Sequence, residues 1–242
     1  CSIIDAPFER HGYYLVYIIT YRFQILIMRA LIGTLKLEVR YMKLVLVRHG
    51  YTEGNDQGLY TGWSNTMLSK KGIEDLKEYR ETYDYPKTDR YYTSDLTRTI
   101  DTFRLLYGDT PITESTFAFR EINFGEYENI RWDRVPGIPY NEAYIRNQPH
   151  VKGETVSQVS LRLFGKLTAV LGEMKEANED SVTIVCHSGV IKTIIMFLSP
   201  MSFDNYYSID TPNGLGYILD IDFDEANNYL TLNKYKPIEL KK

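Results

Sequence analysis

Three places in this chain bring reactive side chains to the end of an apolar run. Residues 43–47 (KLVLV) are aliphatic and lead straight into Arg48, His49 and Gly50. A second apolar run, 181–186, leads into His187, Ser188 and Gly189. The short stretch 90–93 leads into Ser94 and then Arg98. A neutral imidazole is a competent nucleophile near pH 7, and a guanidinium carries permanent charge in a fork that grips two oxygens. A lone histidine at a strand end is usually structural. Two in matching contexts, with arginines at 48 and 98, could converge on one anionic ligand.

Convergence needs elements that place these points side by side. The run 43–47 has the pattern of a strand buried on both faces. Ser69 is placed to N-cap a helix over 73–83. A strand over 90–93 and a helix over 94–107 follow. Residues 154–176 carry Val156, Val159, Leu163, Leu167, Val170, Leu171 and Met174 at steps that are mostly three and four, which predicts a long amphipathic helix. Then come a strand over 181–186 and a helix over 189–198. Two strand-like runs, 217–223 and 229–235, flank DEANN and predict a hairpin. The alternation predicts an α/β fold: a three-layer α/β/α sandwich with a mainly parallel central sheet. Ligands in such folds sit at the carboxyl ends of the strands, where all three reactive points fall.

Composition narrows the ligand. The 242 residues are 43% hydrophobic and 25% charged with a net charge of −4, so no basic field points to nucleic acid or an anionic membrane. The two cysteines, Cys1 and Cys186, form no disulfide framework and fit a reducing cytoplasm. The four histidines show no metal-ligand spacing, so no metal site is expected. The twenty-one tyrosines read as half-buried surface and not as a base-stacking platform. Residues 13–32 are apolar but interrupted by Arg22, Gln24 and Arg29, too short a run to span a bilayer. Residues 1–41 are read as an extension outside the domain, with upstream sequence preferred over a targeting segment. The domain itself, 42–242, is more acidic, at −6.

Six blocks resemble the histidine phosphatase superfamily, also called phosphoglycerate mutase-like: LVRHGYTEGN (46–55), YTGWSNTMLSKKG (60–72), TSDLTRTIDT (93–102), REINFGEYE (120–128), KGET (152–155) and VCHSGVIKTI (185–194). The resemblance covers nearly all of 42–220, in the family's order. It implies that His49 becomes phosphohistidine, that Arg48, Arg98 and His187 surround the phosphoryl group, and that Asn55 adds a donor. Glu121 aligns with the proton donor, with Glu126 and Glu128 nearby. Thr52, Thr61 and Gly62 fall where the family lines the substrate mouth. The backbone of Ser188 and Gly189, opening a helix after His187, adds N–H groups and a favourable dipole. Two positions depart from the family: Thr99 stands where Ala or Cys is usual, and Asp101 where Gln is frequent.

Phosphoryl transfer spreads charge over three oxygens, so two guanidiniums and a protonated His187 suit it, and no cofactor or metal is called for. Cys186 is expected to be a buried strand residue and not a nucleophile. The resemblance favours a phosphatase acting on a small phosphorylated metabolite. Mutase relatives carry a long insertion after the Glu block and Gly-Asn after the second histidine, whereas here 128–153 is short and Ser188-Gly189 follow His187. A cofactor-dependent phosphoglycerate mutase is the alternative. A silent phospho-ligand binding module is third, since no catalytic position is missing. The expected specificity loop, 132–147, has few basic residues (Arg131, Arg134, Arg146 in or beside it), which argues for a monophosphate. Oligomeric state is not legible.

Overall fold

The computed structural model describes residues 40–135, 144, 146–148, 152–224, 226–227 and 229–242. The apolar stretch 13–32 and most of the expected specificity loop lie outside the described residues. The strands are β1 (Arg40–Arg48), β2 (Arg90–Ser94), β3 (Glu114–Thr116), β4 (Ser181–Cys186), β5 (Gly216–Asp224) and β6 (Tyr229–Pro237). The helices are α1 (Glu53–Asp56), α2 (Lys70–Thr82), α3 (Thr97–Tyr107), α4 (Val156–Glu176) and α5 (Ser188–Leu198).

They form one sheet in the order β3-β2-β4-β1-β5-β6 with helices on both faces. The sheet is mixed and not mainly parallel. β3, β2, β4 and β1 pair in parallel, but β5 runs antiparallel to β1 and forms the expected hairpin with β6. The turn between β5 and β6 is too short for a crossover, so that pair must be antiparallel, and β5 itself attaches to β1 in the opposite direction.

Side chains alternate across a strand with period two, and β1 shows what that does. Met42, Leu44 and Leu46 pack under α4 and α5 in one core cluster, whereas Val45 and Val47 pack under α2 and α3 in another. That is why the run reads as continuously apolar. α4 presents all seven of its predicted apolar positions as buried residues. Ser69 caps α2 as expected, its side chain accepting from the Gly72 N–H. β1 starts at Arg40, two residues ahead of Met42, and Arg40 Nη1 donates to the Lys175 carbonyl at 3.0 Å. Among the described residues no helix is long and apolar enough to cross a membrane.

Candidate active site

β1 and β4 pair in parallel with Arg48 opposite Cys186, so the next residue of each strand, His49 and His187, arrives at one edge of the sheet. The His49 N–H donates to the Cys186 carbonyl at 3.0 Å, and the two imidazole centroids lie 5.1 Å apart. β2 is on the other side of β4 and brings Ser94 and the α3 residue Arg98 to the same edge.

His49 is buried, at 4% exposure, and its Nδ1 lies 2.7 Å from the Gly50 carbonyl. A carbonyl only accepts, so Nδ1 carries the proton and Nε2 presents a lone pair. Burial, then Arg98 and Arg48, hold the ring well below the ordinary value of 6.5. The ring is neutral and oriented, as a nucleophile must be. Asn213, not singled out from sequence, fixes the turn by donating to the His49 and Gly50 carbonyls at 3.1 and 3.3 Å.

Arg98 is fully buried. It donates to the carbonyls of Ser64 (2.8 Å), Gly62 (2.7 Å) and Thr61 (3.2 Å), and its Nη2 reaches His187 Nδ1 at 3.3 Å. Arg48 donates to the Thr211 carbonyl at 2.6 Å. The Nε of each arginine is buried without a hydrogen-bond partner, and among the described residues neither arginine forms an ion pair with a carboxylate. Burial brings Arg98 down to about 10 and lowers Arg48, but both remain charged at neutral pH. Two guanidiniums without carboxylate partners, Arg98 fully and Arg48 partly buried, suit an oxyanion between them.

His187 lies deeper than His49. It is fully buried, and burial, Arg98 and His49 hold it well below 6.5, so in the free protein it is neutral and not cationic. Its tautomer follows from its neighbours. Nδ1 can only accept from Arg98, so Nε2–H donates to Ser94 Oγ at 2.8 Å. Ser94 in turn donates to Thr99 Oγ1 (2.9 Å), and Thr99 to the Leu96 carbonyl (2.7 Å). Thr99, a departure from the family pattern, thus closes the chain that holds His187. The other departure, Asp101, faces Arg104 at the surface, 3.8 Å away.

Glu121 is buried beside this cluster. Its Oε1 accepts from the Ile122 N–H at 2.9 Å and its Oε2 from the Gly189 N–H at 3.1 Å. A Cβ at Gly189 would lie 2.2 Å from Glu121 Oε1, so a side chain there would push the carboxylate out of this position. The Glu121 backbone is held by Arg162, which donates to its carbonyl at 2.9 Å and pairs with Glu154 of the KGET block at 2.8 Å. Asn55 caps α1 reciprocally with Thr52: its Oδ1 accepts from the Thr52 N–H at 3.0 Å. That leaves its amide N–H groups without a hydrogen-bond partner among the described residues. The Ser188 hydroxyl pairs with Thr211 at 2.7 Å.

Thr61 and Gly62 work through their carbonyls on Arg98, and the loop that carries them is organised by Glu128. That carboxylate accepts from the N–H groups of Gly62 (3.1 Å), Trp63 (2.8 Å), Ser64 (3.1 Å) and Phe124 (3.0 Å) and from the Ser64 hydroxyl (2.5 Å). Cys186 is fully buried on the α4/α5 face, where burial pushes its thiol well up, surroundings that do not suit a nucleophile. Among the described residues no group of three or more His, Cys, Asp or Glu could hold a metal ion. A cavity of about 300 Å³ opens over His49, lined by Arg48, Asn55, Thr61, Glu121, Ser188 and Gly189, with aromatic side chains and Lys192 beyond them.

The family model of the histidine phosphatase superfamily (branch 1) matches residues 44–233. A 2,3-bisphosphoglycerate-dependent phosphoglycerate mutase of Porphyromonas gingivalis is 24% identical, over 74% of this chain and 87% of that protein. A second such mutase, from Lactobacillus johnsonii, is 27% identical over 75% and 93%. Among solved structures, the α-ribazole phosphatase of Shigella flexneri superposes with a TM-score of 0.62 at 26% identity, covering 79% of this chain and 95% of that one. A phosphoglycerate mutase from Bacillus anthracis shares the fold, with a TM-score of 0.65 at 20% identity, over 82% and 94%.

Proposed function

The chain belongs to the histidine phosphatase superfamily, and within it we propose that this protein is a phosphatase that hydrolyses a small phosphorylated metabolite through a phosphohistidine on His49. The observation that carries this reading is a pair of guanidiniums, Arg98 fully and Arg48 partly buried and both without carboxylate partners among the described residues, flanking an imidazole whose Nε2 lone pair is held free. Nε2 attacks phosphorus in line, and Arg48 and Arg98 neutralise the charge spread over the equatorial oxygens. A bound phosphate dianion favours protonation of His187, which then adds a third cation. Glu121 gives a proton to the leaving oxygen, then takes one from the water that cleaves the phosphoramidate. These side chains supply the positive charge, so turnover is expected to persist in EDTA. The reading puts the enzyme in the cytoplasm, with no nucleic acid or membrane partner, in keeping with an acidic domain and two cysteines.

Hydrolysis is favoured over mutase chemistry by the count of cations. Arg48 and Arg98 cluster around one phosphoryl position, whereas the rest of the cavity lining among the described residues carries one further cation, Lys192, fewer than a second phosphate needs. The second reading, a phosphoglycerate mutase, rests on the mutases among its relatives. A panel of phosphorylated metabolites, assayed with and without 2,3-bisphosphoglycerate, separates the two. Phosphate release without the bisphosphate supports the phosphatase; phosphoglycerate isomerisation that needs it supports the mutase. His49→Ala should remove an acid-labile, base-stable label and lower turnover by several orders of magnitude, with the fold retained. Label on Cys186, or near wild-type turnover in that variant, would sink the mechanism.

A further inference from the structure

Lys192 is a cation of the cavity that the proposed chemistry does not use. It lies three residues beyond Gly189 on α5, so the two share a helix face, and its side chain lines the same cavity as His49 and Glu121. Among the described residues it has no hydrogen-bond or ion-pair partner. Its ammonium lies 5.8 Å from the Tyr206 ring centroid and 5.6 Å from that of Tyr207. Tyr144, Tyr60 and Phe124 extend this aromatic lining. Tyr206 and Tyr207 are edge-on to each other with centroids 5.1 Å apart, and Tyr60 and Phe124 are tilted at 4.9 Å. The cavity therefore has a polar end that fits a phosphoryl group and an aromatic part that carries a single half-buried charge.

A half-buried ammonium lacks part of its water shell, and facing tyrosines replace only some of it. A ligand carboxylate would complete that shell with a charge-assisted hydrogen bond in a region of reduced dielectric. Flat rings stack favourably on aromatic side chains. On the phosphomonoester reading given above, we infer that the substrate's organic part is a ring bearing one acidic substituent, and that Lys192 reads that substituent. A lone cation favours a single carboxylate over a second phosphate. No bond changes at this subsite. It sets which monoester is accepted.

Phosphonates, which the enzyme cannot hydrolyse, separate this subsite from catalysis. Calorimetric titration would compare 4-carboxybenzylphosphonate with its neutral 4-carbamoyl isostere in wild type, Lys192→Met and Lys192→Arg. Wild type should bind the carboxylate about ten-fold or more tightly than the amide, the size of one hydrogen bond to a charged group. The ratio should collapse towards one in Lys192→Met and persist in Lys192→Arg. Equal binding of both ligands by wild type, or an unchanged ratio in Lys192→Met, overturns the subsite. If wild type hydrolyses phosphomonoesters yet shows no carboxylate preference, only the subsite falls. If it binds the carboxylate selectively but forms no phosphohistidine, the subsite stands and the phosphatase reading falls.

Discussion

The tasks proposed for Glu121 and His49 are separable, and a change of leaving group tells them apart. Glu121→Gln keeps the nucleophile but removes the proton donor, so alkyl phosphate turnover should fall by about 10²- to 10⁴-fold, the usual worth of general acid catalysis. p-Nitrophenyl phosphate, whose leaving group needs no proton, should suffer far less; an equal loss on both would argue against the assignment. The histidines also link stability to pH. An imidazole in an unfolded chain titrates near 6.5, whereas folding holds both His49 and His187 well below that, chiefly by burial. The unfolded state therefore takes up protons first, and stability is full above about pH 6.5 and lost as pH falls below it. With about 1.36 kcal/mol per ring per pH unit, the two together cost up to about 2.7 kcal/mol per unit. Urea midpoints measured from pH 7.5 to 5 should show that decline, and a flat profile would mean the rings are not held neutral. For the same reason the acid limb of kcat/KM should lie below 6.5.

Between the residue and the fold stand the loops, and Glu128 is their organiser. It ties residues 62–64 to Phe124, and those residues offer the carbonyls that grip Arg98. A hydrogen bond to a charged group is worth roughly 1.5–3 kcal/mol. Glu128→Gln, which turns an amide N–H towards donors, should lower kcat by about 10- to 100-fold while the far-ultraviolet circular dichroism stays unchanged. Full activity in that variant would show that Arg98 is placed without the loop. The sequence made the reactive positions legible because strand exits and motif blocks mark them. It hid Ser94, Thr99, Glu128 and Asn213 as positioning groups, because their partners are distant in the chain and no local period reports on them. That burial holds His187 neutral in the free protein, so that its cationic form depends on a bound phosphate, was not legible either. Spacing reports where a histidine stands, not how dry its surroundings are.

The whole fold was readable where periodicity was strong. β1, α4, β4 and the final hairpin came out near their expected bounds, whereas the three residues of β3 gave no pattern to detect. The sheet's mixed character followed from how β5 attaches, which alternation alone does not specify. The extent of the domain is testable in the same way. A chain starting at Met42 should stay folded and active, because Arg40 and Tyr41 only extend β1 opposite Phe223 and Asp222. It should lose about 1 kcal/mol against a chain starting at Arg40, the net worth of a hydrogen bond such as that from Arg40 to Lys175. Insoluble or inactive protein would place the boundary upstream. The position of β1 bears on biosynthesis as well. This strand, with His49 at its end, is made before its neighbours on both sides, β4 and β5, which lie more than a hundred residues further along the chain. At translation rates of roughly 5–20 residues per second, an aliphatic edge waits about 10 to 35 s for its partners. During that interval the nascent chain offers chaperones a sticky strand, and stalled synthesis before β4 would leave it with nothing native to join.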